Sequence, residues 1–184
     1  GIPTVWPQWL VKRLGSPRER LPRMARARLL LDTTSPGSKA AEENSRSAAR
    51  KFGMTIVPYL IANQAELEKA LSTMAKDRLD ALTGAGGGVL INFSQLIAEN
   101  ALRLRIPYAG NPNLGALFSF APSLTQAYRD AARYVDKILK GAKPGELPIE
   151  QPIRFEMVVN LKTARTLGVT IPQSVMLRAT RVIE

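Results

Sequence analysis

The chain has 184 residues and contains neither cysteine nor histidine. These absences exclude disulfide bonds, thiolate metal sites and the side chain that most often serves as a general base. Lys and Arg number 26 against 15 Asp and Glu, and a net charge of +11 can indicate a nucleic-acid or membrane-surface partner. Because 45% of the residues are hydrophobic, the chain can fill a folded core.

The positive charge is concentrated near the start of the chain. Residues 12–28 contain seven Lys and Arg and the single acid Glu19, and therefore supply +6 of the +11. The pattern is typical of a solvated helix-and-loop segment, and a polyanion-binding surface is the alternative. No aromatic residue lies among these basic side chains, so the segment lacks a stacking platform for single-stranded nucleic acid.

The opening residues do not resemble a secretory leader. Gly1 is followed by Pro3, Pro7 and two Trp rather than by a basic start and an apolar run. No apolar stretch approaches the roughly 20 residues that a membrane-spanning helix requires. The opening residues therefore indicate no compartment.

Strands and helices are predicted to alternate over the first 108 residues. Strands are predicted at 27–32, 54–61, 80–83 and 106–108, and helices at 39–52, 63–76 and 89–103. Pro58 cannot donate to a strand ladder, so the second strand is expected at a sheet edge or at a bulge. This order with short links predicts a parallel sheet with helices on both faces.

The pattern changes after residue 108. A strand is predicted at 117–120, a long helix capped by Ser123 at 124–139, a Gly- and Pro-rich passage at 141–152, a strand at 155–160, and helices at 161–167 and 174–183. Gly53 and Gly168 follow two of the predicted helices, where a left-handed residue commonly ends a helix.

A glycine cluster, Gly84-Ala-Gly-Gly-Gly88, follows the third predicted strand. A P-loop requires Gly-Lys-Ser/Thr after the loop, and a dinucleotide fingerprint requires a glycine at the position of Val89. Neither pattern is present. The glycines are therefore predicted to let the backbone turn tightly, with close approach of the backbone to a ligand as the alternative.

The sequence offers no catalytic constellation. Ser and Thr are plentiful, but no histidine is available to activate them. Glu42 and Glu43 form the only adjacent acidic pair, near the start of a predicted helix where the helix dipole stabilises them. We therefore expect no catalytic residue, no metal site, no cofactor and no enzyme activity.

Two long segments carry a specific resemblance. They are YVDKILKGAKPGELPIEQP at 134–152 and FEMVVNLKTARTLGVTIP at 155–172. Both resemble the C-terminal end of the ABC-transporter substrate-binding protein family that includes tryptophan/tyrosine uptake-type proteins. Shorter segments also align, so the similarity runs from about residue 9 to 184: Lys12-Arg-Leu14, Leu21-Pro22, the strand ending in Asp32, and Glu66-Leu-Glu-Lys69.

The resemblance implies a type I periplasmic-binding-protein fold, which is a Rossmann-like three-layer αβα architecture with a mostly parallel sheet. Two lobes of this fold close around a small ligand. Residues 1–114 would form the second, ligand-binding lobe, 115–146 a return segment of the first lobe, and 147–184 a tail returning to the second lobe. The first lobe's own N-terminal units have no counterpart here, so the chain is expected to be a truncated member.

The candidate ligand-binding residues follow from this topology, because ligands of open α/β sheets bind beyond the carboxyl ends of the strands. Hydroxyls and N–H groups of one turn would bind a carboxylate, a glycine loop would supply backbone donors, and an aromatic and an amide side chain would complete the rim. For each residue alone, ordinary turn or capping chemistry is the alternative. The candidates are Thr33, Thr34, Ser35, Gly86, Gly87, Tyr108 and Asn111.

The resemblance thus implies the periplasmic, non-enzymatic solute-binding component of an ABC importer, with an amino-acid-like molecule or a small organic acid as ligand. Its other expected partners are ABC permease subunits and a second copy of the chain, paired through the surface left by the missing lobe. Because half a cleft buries half a ligand, we expect weak small-molecule binding by this chain alone.

Three alternatives remain open from the sequence. The first is a basic nucleic-acid-binding α/β module, although nucleic acid is not the expected partner; a salt-sensitive gel shift would support it. The second is a doubly wound enzyme using Ser/Lys or carboxylate chemistry. The third is a sensor or scaffold that reuses the fold without transport.

Overall fold

The computed structural model describes residues 26–50, 54–77, 79–85, 87–150 and 153–184. Within these ranges, seven strands form one sheet in the order β2-β1-β3-β4-β5-β6-β7. The strands are β1 (Arg26–Asp32), β2 (Thr55–Ile61), β3 (Ala81–Ala85), β4 (Tyr108–Ala109), β5 (Phe118–Pro122), β6 (Phe155–Asn160) and β7 (Arg181–Ile183). The helices are α1 (Ser38–Arg50), α2 (Gln64–Met74), α3 (Gly88–Asn92), α4 (Ser94–Arg103), α5 (Leu124–Leu139), α6 (Leu161–Leu167) and α7 (Gln173–Met176).

The sheet is mostly parallel, and only the β5–β6 pair is antiparallel among the described strands. One apolar cluster packs the sheet against α1, α6 and α7, and a second packs it against α2, α3 and α4. Two helical layers therefore enclose the sheet. This arrangement confirms the predicted three-layer α/β fold with a mostly parallel sheet.

β1 shows why the sheet is buried on both faces. Leu29 and Leu31 belong to the first cluster, whereas Leu30 between them belongs to the second. All three side chains are buried. A continuous apolar run is what a strand covered by helices on both faces requires, because successive side chains point to opposite faces.

β2 forms one edge of the sheet, as Pro58 predicted. Helix α2 follows, and its first turn is capped in both directions. The Asn63 side chain accepts from the Glu66 N–H at 3.0 Å, and the Glu66 carboxylate accepts from the Ala62 N–H at 2.7 Å. This is a capping box with Asn at the cap and its return bond one residue further back.

The helix predicted at 89–103 is two helices, separated at Phe93 (φ −105°, ψ 17°). The Ser94 hydroxyl donates to the Ile91 carbonyl at 2.8 Å. A hydroxyl that bonds the backbone in this way competes with the helical pattern, which explains the break.

The prediction of a helix at 174–183 is wrong over most of this range. The observed helix covers only Gln173–Met176, and β7 follows it. Val182 and Ile183 are β-branched and pair with β6, where they extend the sheet. The Thr180 N–H donates to the Met157 carbonyl at 2.7 Å and sets the approach of β7.

The two predicted helix-ending glycines have different outcomes. Gly168 ends α6 in the left-handed region, with φ 70°, as predicted. Gly53 lies outside the described residues. No helix among the described ranges is long and apolar enough to cross a membrane.

Helix α5 leaves the sheet after β5, and none of its residues is buried. Its bounds match the prediction, and the Ser123 side chain accepts from the Gln126 N–H at 3.4 Å. The Tyr134 hydroxyl donates to the Pro148 carbonyl at 2.6 Å, which ties the helix to the following segment. Five large apolar side chains, which we call the α5 face, stay exposed: Leu124, Tyr128, Val135, Ile138 and Leu139.

Candidate functional site

A pocket of about 250 Å³ lies at the carboxyl ends of β3 and β4. It is lined by Gly84, Ala85, Gly87, Leu90, Ile91, Ser94, Tyr108, Ala109, Gly110 and Asn111. Three of the seven predicted residues, namely Gly87, Tyr108 and Asn111, are therefore brought together. Gly86 lies outside the described residues.

Tyr108 is the largest side chain of the pocket lining, and it is only 6% exposed. Burial raises the pKa of its hydroxyl to about 12, so the group stays protonated at neutral pH. Within the described part of the chain, this hydroxyl has no hydrogen-bond partner. A buried polar atom without a partner is rare and calls for an explanation.

Two glycines make room for side chains of the pocket: Gly110 for the Tyr108 ring and Gly84 for Leu90. A Cβ atom added at Gly110 would lie 2.3 Å from ring carbons of Tyr108, so the ring occupies the space of a side chain. A Cβ atom at Gly84 would lie 3.2 Å from the Leu90 Cδ1 atom and 3.9 Å from the Tyr108 hydroxyl. Sequence reasoning placed Gly84 in the glycine cluster without assigning it this packing role, and it did not single out Gly110.

Asp32 is a second feature that sequence reasoning missed. It ends β1, is fully buried, and accepts four hydrogen bonds. One carboxylate oxygen accepts the Thr34 N–H at 3.0 Å and the Thr34 hydroxyl at 2.6 Å. The other accepts the Gly87 N–H at 3.2 Å and the Val89 N–H at 3.0 Å.

The charge of Asp32 is stabilised by these contacts. Burial alone would raise the pKa of the carboxyl, but the hydrogen bonds from Thr34, Val89 and Gly87 outweigh it and hold the pKa below its ordinary value. The carboxylate therefore joins the turn after β1 to the loop after β3. It also accepts from the Gly87 N–H, a backbone donor that the sequence analysis assigned to the ligand.

The turn at Thr33, Thr34 and Ser35 lies outside the pocket lining. Its three N–H groups are all used within the fold: that of Thr33 donates to the Ile61 carbonyl, and those of Thr34 and Ser35 donate to Asp32. The Ser35 hydroxyl lies 3.9 Å from a Cβ atom built at Gly87 and so is near the pocket rim. Their role in ligand binding stays a prediction.

The loop that carries Asn111 is held from two sides. Within the loop, the Asn111 side chain accepts from the Asn113 N–H at 3.1 Å. From the C-terminal part, the buried Asn160 amide donates to the Pro112 carbonyl at 2.8 Å, and Arg181 donates to the Asn113 side chain at 2.9 Å. The position of Asn111 therefore depends on residues from the other end of the chain.

Among the described residues, the pocket lining contains no Asp, Glu, Lys or Arg. The described residues also hold no group of three or more acidic side chains that could bind a metal ion. Of the basic segment at 12–28, only Arg26 and Arg28 are described. Arg28 donates to Asp77 at 2.7 Å and stacks over the Tyr59 ring at 4.8 Å, so it is engaged within the fold.

This architecture is a three-layer α/β fold with a pocket at the strand ends. Three solved structures share it. An ABC-domain protein from Streptococcus pneumonia in complex with L-Trp has a TM-score of 0.79 and 22% identity, covering 88% of this chain and 57% of that one. A conserved domain protein from Vibrio cholerae has a TM-score of 0.82 and 23% identity, covering 95% of this chain and 58% of that one.

The third is the ligand-free, open structure of a Clostridium difficile substrate-binding protein with adhesive properties. Its TM-score is 0.64 at 17% identity, with 95% of this chain and 58% of that chain covered. At these identities, the structural similarity establishes the fold alone. The coverages also show that the chain spans less than two thirds of the length of each of these three relatives.

The family follows from the sequence itself. Residues 16–183 match the model of ABC transporter substrate binding proteins, and the chain belongs to this family. This confirms the resemblance found in the sequence. No curated protein matches the chain.

Proposed function

We propose that the protein is the solute-binding component of an ABC importer, and that it captures an amino-acid-like molecule or a small organic acid without changing it chemically. The observation that carries the proposal is the pocket at the ends of β3 and β4 in a member of a substrate-binding family. The L-Trp in one structural neighbour supports an amino-acid-like ligand. In this proposal Tyr108 and Asn111 contact the ligand, and Gly87, Gly86 and the turn at 33–35 shape the rim.

The proposed cleft needs a second lobe facing this pocket. Residues 1–114 would form the ligand-binding lobe, 115–146 a return segment that packs on the other lobe, and 147–184 the tail. The α5 face supports this division, because a helix with five exposed apolar side chains is typical of a helix that packs against another surface.

The same face suggests what happens when the other lobe is missing. We propose that two copies of this chain then pair through it, because exposed apolar patches favour association. In the complete transport system the protein would work in the periplasm and deliver its ligand to ABC permease subunits. Membership of the family supports the periplasmic location and the delivery to permease subunits.

The test is a titration of the ¹⁵N-labelled chain with L-tryptophan, followed by nuclear magnetic resonance. We expect the backbone signals of Ala109, Gly110 and Asn111 to shift with weak affinity, because one lobe buries only part of the ligand. L-tryptophan should be recovered unchanged. Micromolar binding by calorimetry would contradict the half-cleft account, and the absence of shifts at the pocket would contradict the site.

Two loop asparagines provide a matched pair of variants. Asn111→Ala removes an amide that lines the pocket, and we expect it to weaken L-tryptophan binding by about tenfold, the scale of one buried hydrogen bond. Asn113→Ala removes an amide that bonds Arg181 and does not line the pocket. Equal effects of the two substitutions would show that the loop, and not Asn111, matters.

A further inference from the structure

We infer that this pocket takes the uncharged end of the ligand, whose hydrogen-bond acceptor meets the Tyr108 hydroxyl, and that the ligand's charged groups point away from this lobe. The inference rests on the proposed function, because it states which part of a captured molecule this pocket receives. It reverses the sequence-based expectation that this rim binds a carboxylate.

The first observation is the neutrality of the pocket. Its ten lining residues include no charged side chain. A charged group placed there would lose its hydration without gaining a partner of opposite charge, which is unfavourable. An apolar or ring-shaped group gains instead from contact with Leu90, Ile91 and the Tyr108 ring.

The second observation is the position of Asp32. Two N–H groups of the loop after β3 that could receive an anion, those of Gly87 and Val89, already donate to the Asp32 carboxylate at 3.2 and 3.0 Å. Asp32 is therefore an internal anion in the place where a ligand carboxylate would bind. A second negative charge at Gly87 would be repelled by the first.

The third observation is the unpartnered hydroxyl. Tyr108 is 6% exposed, lines the pocket, and its hydroxyl has no partner among the described residues. Because the hydroxyl stays protonated, it can donate to a neutral acceptor such as a carbonyl oxygen. A ligand that supplies this acceptor satisfies a group that the fold leaves without a partner.

The size of the pocket limits what enters it. About 250 Å³ is smaller than the roughly 300–1,000 Å³ of typical sites for whole small molecules. The ring of Tyr108 fills the space beside Gly110. Leu90 packs closely over Gly84, because a Cβ atom built at Gly84 would lie only 3.2 Å from the Leu90 Cδ1 atom. The pocket therefore accepts one planar end of a ligand rather than the whole molecule.

The experiment compares benzamide with benzoate, two probes of nearly the same shape that differ in charge. Binding is followed by the backbone shifts of Ala109, Gly110 and Asn111 in the whole chain. We expect benzamide to bind at least about tenfold more tightly than benzoate, since a separation of tenfold needs only one additional hydrogen bond or one avoided repulsion. Equal or tighter binding of benzoate would overturn the inference.

Two tyrosine variants test the hydroxyl. Tyr108→Phe should weaken benzamide binding about two- to tenfold while leaving the melting temperature unchanged or higher, because it removes an unpaired buried group. Tyr59→Phe is the control: its hydroxyl donates to Asp77 at 2.6 Å, so the variant should lower the melting temperature and leave benzamide binding unchanged. A Tyr108→Phe protein that is destabilised and binds benzamide normally would overturn the inference.

Asp32→Asn tests the internal anion. In the folded variant, the preference for benzamide over benzoate should shrink, and an unchanged preference would contradict the role of Asp32. If the variant does not fold, the comparison of benzamide with benzoate in the wild type still tests whether the pocket prefers an uncharged group. Shifts with L-tryptophan but no discrimination between the probes would defeat this inference alone, whereas no shift with any of the three would defeat the proposed function.

Discussion

The core of the sheet and helix α5 differ in whether their apolar side chains are buried. Leu30 in β1 is fully buried between helices of the same chain. Leu139 in α5 is 81% exposed, and no residue of its helix is buried. Both segments are nevertheless patterned with apolar residues at the spacing of their own secondary structure.

The difference shows that hydrophobic spacing in a helix predicts a buried face but does not identify the surface that covers it. In the sheet, the covering helices lie between the strands in the sequence, so each βα unit brings its own cover. The α5 face has no such cover among the described residues. Under the proposed function, the other lobe of the binding protein or a second copy of the chain would cover it.

The largest expected effect comes from a pair of leucines. Leu30→Ala should lower the free energy of unfolding by roughly 2–5 kcal/mol, because it leaves a cavity between the sheet and its helices. Leu139→Ala should change it by less than about 0.5 kcal/mol, because the side chain is exposed. Urea denaturation measures both, and a large effect at Leu139 would show that the α5 face is covered.

A smaller effect is expected from Asp32→Asn. Loss of the charge weakens four hydrogen bonds in the sheet region, which should cost about 1–3 kcal/mol at neutral pH. Because the folded-state pKa lies below the unfolded value of about 3.9, the wild-type advantage is present above that pH and is lost as the pH falls through the folded-state pKa.

Denaturant titrations from pH 7 down to pH 3 check this prediction. The wild type and Asp32→Asn should differ most above about pH 5, and the difference should shrink as the pH falls below the unfolded value of about 3.9. Asp77 also has a lowered pKa, owing first to the hydrogen bond from Tyr59, and it contributes to the acid sensitivity of both proteins. A constant difference between the two proteins at every pH would contradict the assignment to Asp32.

The smallest effect on the fold is expected from charges on the α5 face. The double substitution Leu124→Lys and Tyr128→Lys should leave the melting temperature nearly unchanged, because both side chains are exposed. It should reduce self-association, measured by light scattering, by at least about tenfold in the dimer constant, through like-charge repulsion and lost apolar contact. A wild-type chain that is monomeric at high concentration would contradict pairing.

Much of the fold was predictable because its signals are local. Apolar runs gave the strands, Pro58 gave the sheet edge, and Ser123 and Gly168 gave helix ends. The pocket was predicted only in part. Its position follows from the parallel topology, but the role of Asp32 depends on partners 55 and 57 residues further along the chain.

The other features that the sequence does not predict have the same origin. The N–H groups assigned to a ligand at Thr33–Ser35 are used by contacts within the fold, and no local pattern distinguishes a free donor from an engaged one. β7 was predicted as a helix because its three residues become a strand only through pairing with β6. Tertiary pairing overrides local propensity in such short segments.

The antiparallel pairing of β5 and β6 has a practical consequence for protein engineering. Pro122 and Phe155 are register partners, and the Ser123 N–H donates to the Arg154 carbonyl at 2.9 Å. The polypeptide thus leaves the sheet and re-enters it at neighbouring points, as at the turn end of a hairpin. A short turn grafted in place of residues 123–154 would yield a minimal scaffold that retains the pocket and lacks helix α5 with its exposed apolar face.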